Sequence, residues 1–190
     1  TGGGNGIGRE VVLGLLARGA SVAALDLREE GLAETTRLAG TAAASRLTTY
    51  AVNVTDRARV AEVIDEVAAS GLDGLLNVAG IIQPFVKVAD LSFEDMERVM
   101  DVNFWGVVNT TKAALPHLVT RPEACLVNVS SMGGFCPVPG QSVYGASKAA
   151  VKLFTEALYA EVRGTGVAVT VVFPGAIRTG ISDNSGVSMG

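Results

Sequence analysis

The sequence predicts an α/β fold, a doubly wound parallel sheet with helices on both faces, and three observations carry that expectation. Short apolar runs alternate with amphipathic stretches along the whole chain. The spacing between runs leaves room for helices, and parallel strands need helical crossovers. A glycine-rich turn directly precedes the first helical pattern, as in sheets that bind ligands at the carboxyl ends of their strands. Without an internal repeat, low-complexity tract or linker, residues 1–190 are expected to form a single domain.

From Ile7 to Ala17, apolar residues recur at helical spacing, and Arg18-Gly19-Ala20 closes that helix. A buried strand is expected at Ser21 to Leu27 and a short helix over 29–38. A small-residue connection, Ala39 to Arg46, leads into a strand at Leu47 to Val54. Thr55 or Asp56 can cap the next helix, which runs through Val60, Val63, Ile64 and Val67 to Ser70-Gly71. Leu72 to Val78 makes another strand, 92–118 a long helix, Ala124 to Ser130 a strand, Ser142 to Arg163 a second long helix, and Val167 to Phe173 a final strand. The last helix is apolar around much of its circumference: Val151, Phe154, Leu158 and Val162 form one stripe, and Ala146, Ala149, Leu153 and Ala157 widen it. The second face suits either a partner subunit or burial within one chain.

Composition narrows the function. With 48% hydrophobic residues the chain can bury a substantial core. A net charge of −4 with scattered Lys and Arg argues against a nucleic-acid partner. Apolar runs such as Val167 to Phe173 are too short to span a bilayer, so no membrane partner is expected. Cys125 and Cys136 make neither a disulfide framework nor a metal cluster, which fits a cytoplasmic protein with two buried thiols. His117 is the single histidine, so a His-based triad or multi-His metal site is excluded and no metal is expected.

Chemistry concentrates at Tyr144-Gly-Ala-Ser-Lys148, with Ser131 thirteen residues upstream. Residues four apart share a helical face, so Lys148 lies one turn beyond Tyr144, and a nearby cation favours phenolate over phenol. At the other end of the chain, Gly2, Gly6 and Gly8 stand in the turn before a helix. Glycine lets backbone amides approach a phosphate, and the helix N-terminus adds partial positive charge. The spacing is Gly-x-x-x-Gly-x-Gly with no Gly-Lys-Ser/Thr following, which disfavours an ATP or GTP loop of that type. Asp26 ends the next strand, where a carboxylate can bond a ribose 2′-hydroxyl and repel a 2′-phosphate. That favours NAD over NADP, although Arg28 keeps NADP open.

Together, Thr1-Gly-x-x-x-Gly6-Ile7-Gly8, Asn77-Val-Ala79-Gly80, Asn103, Ser131, Tyr144-x-x-x-Lys148 and Pro174-Gly175-x-x-x-Thr179 resemble the short-chain dehydrogenase/reductase family in order and separation. The resemblance implies an NAD(P)-dependent oxidoreductase on a Rossmann sheet, a homodimer or homotetramer built through the two long helices. By the same resemblance Tyr144 is the general acid/base, Ser131 orients the substrate oxygen, Lys148 bonds the nicotinamide ribose, and Asn103 positions a water beside Lys148. Ser130 would point to the opposite side. Gly2, Asn5, Gly6, Ile7 and Gly8 would hold the pyrophosphate, Asn53 and Val54 the adenine edge, and Asn77, Ala79 and Gly80 the cofactor beyond the strand at 72–78. Ile177 and Thr179 would hold the nicotinamide carboxamide, and Pro174 and Gly175 of the same motif would also meet the cofactor.

Two departures from the family pattern stand at Asn53, where Asp is common, and at Val78, where a second Asn is common. Members also begin with a strand before the Thr-Gly turn and end with a further helix and strand. The resemblance therefore implies a segment without its first strand, which would lie between those at 21–27 and 72–78, and one that would not fold stably by itself.

Residues 81–90, 132–141 and 176–190 are expected around the substrate. Met132, Phe135, Cys136, Pro137 and Val138 favour a neutral or hydrophobic alcohol or ketone over a multiply charged one. The Gly/Ser-rich segment 175–190 suits either a mobile lid or an ordinary loop. Hydride transfer between NAD(H) and a secondary alcohol/ketone pair is the leading reading. A non-catalytic nucleotide-binding regulator, or an epimerase or dehydratase using bound NAD, are the alternatives.

Overall fold

Helix α1 (Gly6–Ala17) starts where Asn5, with extended backbone, accepts a hydrogen bond from the Gly6 amide. It leads into strand β1 (Val22–Asp26). The computed structural model that shows this describes residues 1–187. Next come α2 (Glu29–Ala39), a 3-10 turn at Thr41–Arg46, β2 (Leu47–Ala51), α3 (Arg57–Ala68) and β3 (Gly74–Asn77). Of the two candidate caps for α3, Asp56 is used and accepts from the Arg59 amide, whereas Thr55 bonds Asn53.

The long helix expected over 92–118 is three pieces: α4 (Phe93–Met100), a π-helical stretch at Asp101–Trp105, and α5 (Gly106–Leu118). A single π turn adds one residue to the ladder, and such turns gather at functional sites. Here the turn carries Asn103, whose side chain leaves the helix for the loop after β3. Gly106 follows because a Cβ there would lie 2.7 Å from Val54 Cγ2. Strand β4 (Ala124–Val129), helix α6 (Ser142–Glu161), strand β5 (Val167–Val172) and the short α7 (Ile181–Ser185) complete the order.

All strand pairs are parallel, as the crossovers require. They form two sheets, β1–β2 and β3–β4–β5. The division falls between β1 and β3. Thr1 and Gly3 bridge it: the Thr1 amine donates to Leu76 O at 2.8 Å and the Gly3 amide to Leu25 O at 3.0 Å. The larger core crosses the division, joining Leu25 and Val52 with Val60, Val63, Leu118 and Leu126. A smaller cluster, Val12, Leu16, Ala24, Leu32 and Ala43, packs α1 and α2 against β1.

On α6, Val151 and Leu158 are buried, but Leu153 is 63% and Tyr159 60% exposed, so the second apolar face is not covered by the described residues. Both cysteines are exposed, contrary to the expectation of buried thiols. Strand alternation turns Cys125 away from the core that its neighbour Leu126 enters, and Cys136 lies on the exposed segment after β4. No described helix is long and apolar enough to cross a membrane. Among the described residues, no group of three or more His, Cys, Asp or Glu is placed to hold a metal.

Candidate active site

The opening turn is held from four sides. Its Gly4 amide donates to Asp26 Oδ2 at 2.9 Å, Thr35 Oγ1 donates to Gly3 O at 2.8 Å, and Arg9 Nη2 bonds Gly4 O. On the fourth side, Thr1 Oγ1 accepts from the Val78 and Ala79 amides, both at 3.1 Å. Gly2 and Gly6 have φ of +70° and +49°, which favours glycine, and a Cβ on Gly2 would lie 2.9 Å from the Ala79 amide nitrogen. The turn thus presents bare backbone at the start of a twelve-residue helix with no acidic side chain in its first turn. First-turn amides precede the helix's own hydrogen-bond ladder and suit an anion.

A cleft of about 210 Å³ opens along this turn. It is lined by Gly2, Asn5, Gly6, Ile7 and Gly8, by Asp26 and Arg28 after β1, and by Asn53, Val54, Ala79, Gly80 and Thr179. Thr179 closes the far wall, since a Cβ on Gly6 would lie 3.1 Å from its Cβ. Beside it, α7 is tied down. Asn5 Nδ2 donates to Asn184 Oδ1, the Ile82 amide donates to Ser185 Oγ at 2.9 Å, and Arg98 Nη2 donates to Ser185 O at 2.5 Å. These bonds join α7 to α1, α4 and the loop after β3; residues 188–190 of the 175–190 segment lie outside the described residues.

The chemistry-bearing side chains converge at the ends of β4 and α6. Ser131 has extended backbone, and its Oγ accepts from the Gly133 amide at 3.0 Å. A Cβ on Gly133 would lie 3.3 Å from Tyr144 Cε1 and 3.4 Å from Ser131 Oγ, so hydroxyl and phenol ring border the same small space. Ser130 turns the other way, buried, with Oγ donating to Lys148 O at 2.7 Å.

Lys148 is 4% exposed, and its Nζ donates to Val129 O at 3.0 Å. Burial pulls its ammonium down from 10.5 to about 8. Space around Gly80 joins it to Asn103: a Cβ there would lie 3.1 Å from Lys148 Nζ and 3.2 Å from Asn103 Oδ1. Asn103 bonds both the amide and the carbonyl of Ile81, at 2.8 and 2.9 Å, and donates to Ser147 Oγ, which donates to Tyr144 O. All four candidate catalytic residues thus belong to one connected neighbourhood.

Several expected cofactor contacts lie elsewhere. The Asn77 side chain is buried between β3, β4 and α5, donating to Asn128 Oδ1 at 2.9 Å and accepting from Thr110 Oγ1 at 2.7 Å, so it braces the sheet instead of lining the cleft. Asn53 reaches the cleft, and its Oδ1 accepts from both the amide and the hydroxyl of Thr55. Pro174 O accepts from the Met132 amide. Gly175 and Ile177 are exposed beyond the cleft lining.

The sequence reading missed Arg9, Thr35 and Gln83, which support the site without a motif of their own. A threonine inside a helix at i+4 from Gly31 is the one local hint, because such hydroxyls bond back along the helix.

A profile of the short chain dehydrogenase family matches residues 1–188. SadH of Mycobacterium tuberculosis strain H37Rv, named as an oxidoreductase, is 42% identical over 194 residues, covering 100% of this chain and 70% of the relative. The 3-oxoacyl-[acyl-carrier-protein] reductase of Thermotoga maritima is 35% identical over 185 residues, 96% of this chain and 74% of the relative. Among solved structures, the closed form of serine dehydrogenase with NADP+ superposes with a TM-score of 0.89 at 32% identity, covering 96% of this chain and 73% of that one. With the full-length profile match, these relatives and the glycine turn, sheet and Ser131/Tyr144/Lys148 neighbourhood in agreement, the chain belongs to the short-chain dehydrogenase/reductase family of NAD(P)-dependent oxidoreductases.

Proposed function

We propose that this chain moves a hydride between NAD(H) and a neutral or hydrophobic secondary alcohol/ketone pair, with Tyr144 as general acid/base. The observation that carries this is the shared space of Ser131 Oγ and the Tyr144 ring at Gly133, with the buried Lys148 ammonium on the same helix one turn away. Because Ser131 Oγ already accepts from the Gly133 amide, its own hydrogen is free to be donated to a substrate oxygen. Tyr144 Oη then takes the alcohol proton in oxidation or returns it in reduction. Lys148 has a backbone carbonyl as its bonded partner and sets positive charge where negative charge develops.

The residues present fit a nicotinamide dinucleotide. Gly2, Gly6 and Gly8 would cradle its pyrophosphate, and Asp26 and Arg28 would meet the adenosine ribose. When bound, the cofactor supplies or accepts the hydride. Asp26 favours NAD: its carboxylate is fixed by the Gly4 and Arg28 amides on the cleft wall, where a 2′-phosphate would meet negative charge. Met132, Phe135 and Val138 are 44–52% exposed beside Ser131, which supports an apolar substrate. An assembly of two or four copies through the uncovered face of α6 belongs to the same reading, and light scattering measures it.

The test is Tyr144→Phe assayed with a panel of secondary alcohols while reduced nicotinamide is followed by absorbance. Turnover is expected to fall about 10²–10⁴-fold, the usual contribution of a positioned acid/base. Cofactor binding is expected to stay within about threefold, with NAD at least about tenfold tighter than NADP, as a like-charge clash at the ribose implies. Near-normal turnover in the variant would overturn the Tyr144 assignment. Product accumulating with bound NAD unchanged would point to an epimerase or dehydratase instead.

A further inference from the structure

Gln83 is fully buried in the loop after β3, and the mechanism above does not use it. Four hydrogen bonds join it to residues 140–144. Its Oε1 accepts from the Val143 amide at 2.8 Å and the Tyr144 amide at 3.0 Å. Its Nε2 donates to Gly140 O at 2.9 Å, and its backbone carbonyl accepts from Gln141 Nε2 at 2.8 Å. Helix α6 begins without any side-chain cap from the residue that precedes it, Gln141. The first turn of a helix leaves amides without intrahelical partners, and a side-chain oxygen normally supplies them from the preceding residue. In α6 that oxygen comes from about sixty positions earlier in the chain, and one of the amides it holds is that of Tyr144 itself.

We propose that Gln83 is a positioning residue for proton transfer: its buried amide caps α6 from outside and locks Tyr144 against the loop that carries Ala79 and Gly80. The proposal rests on Tyr144 being the acid/base. The geometry gives it a reason beyond helix stability. Gly80 abuts Lys148 Nζ and Asn103 Oδ1, and Ile81 bonds Asn103. Loop 79–83 therefore sets the Lys148 end and the Tyr144 end of α6 together, and Gln83 is the fastening at the Tyr144 end. Displacing a reacting group by about 1 Å can cost 10²-fold in rate, so a cap that moves Tyr144 acts on turnover and not on substrate or cofactor binding.

Two variants of the enzyme test this. Gln83→Leu keeps the bulk and removes every side-chain bond; Gln83→Asn keeps the amide but retracts it by one methylene, and carries the test if Gln83→Leu does not fold. In either, kcat is expected to fall about 10- to 100-fold with KM for the alcohol and cofactor affinity within about threefold. The readout independent of substrate is the ring-carbon NMR signal of tyrosines labelled with 13C. Tyr144 is identified by its loss in Tyr144→Phe, and its signal is expected to move in the Gln83 variants while those of Tyr50 and Tyr159 stay. A Gln83 side chain that only stabilises the fold would lower the melting temperature and leave the folded-state Tyr144 signal and kcat unchanged. That result, or a moved signal with unchanged kcat, overturns the proposal. If Tyr144→Phe itself keeps turnover, the acid/base assignment fails instead, whatever the Gln83 variants do to the signal.

Discussion

Lys148 brings a charge into a site where a carbonyl, Val129 O, is its bonded partner, and burial accounts for its descent to about 8. The folded value lies below the unfolded value of 10.5. Below pH about 8 both states bind the proton, and the folded state bears the cost of burying it. From about 8 to about 10.5 the unfolded chain binds more protons than the folded one, so this group makes stability rise with pH across that window. Urea denaturation of the cofactor-free protein should show the wild type gaining stability over Lys148→Met across that range. Parallel curves would mean that burial does not perturb Lys148. At this scale the sequence was legible where side chains act through spacing along one element, as for Tyr144 and Lys148 on α6. It was silent on Asn77, whose amide is bonded to Asn128 and Thr110 within the sheet. A side chain's free valence depends on its neighbours in space, and those neighbours include other strands and helices.

Among the elements, the glycine turn shows how much of a phosphate cradle lies outside its motif. Thr35 is fully buried on α2, with Oγ1 3.0 Å from both Arg9 Nε and Gly31 O and 2.8 Å from Gly3 O. Thr35→Val keeps the shape and removes the hydroxyl, leaving a half-buried donor on Arg9 and an acceptor on Gly3 with one partner fewer. The expected loss is about 1–3 kcal/mol of stability, together with a several-fold weaker cofactor titration because the turn loses a brace. Thermal unfolding and fluorescence titration measure the two effects. The π turn at Asp101–Trp105 was not legible, because the apolar periodicity of 92–118 continues through it. What diverts the backbone is the pull of Ile81 on Asn103, a tertiary contact.

Across the whole molecule, the two sheets share one core, with α3 and α5 packing Val60, Val63 and Leu118 against strands on both sides of the division. Leu118→Ala should therefore cost about 2–5 kcal/mol and lower a single melting transition without splitting it. Circular dichroism and the fluorescence of Trp105 should coincide; separate transitions would mean that the sheets unfold independently. Loop 78–83 joins the functional parts in the same way, touching the glycine turn through Val78 and Ala79, Lys148 and Asn103 through Gly80 and Ile81, α7 through Ile82 and α6 through Gln83. The sequence by itself determined the strand and helix order, the parallel topology and the glycine turn, because each follows from residue periodicity or local backbone chemistry. The tertiary structure alone decided which amides are free, where the long helix swells, and that Gln83 caps α6. The bonds of Asn77, Asn103 and Gln83 join partners more than about twenty residues apart, and no local pattern encodes such a pairing.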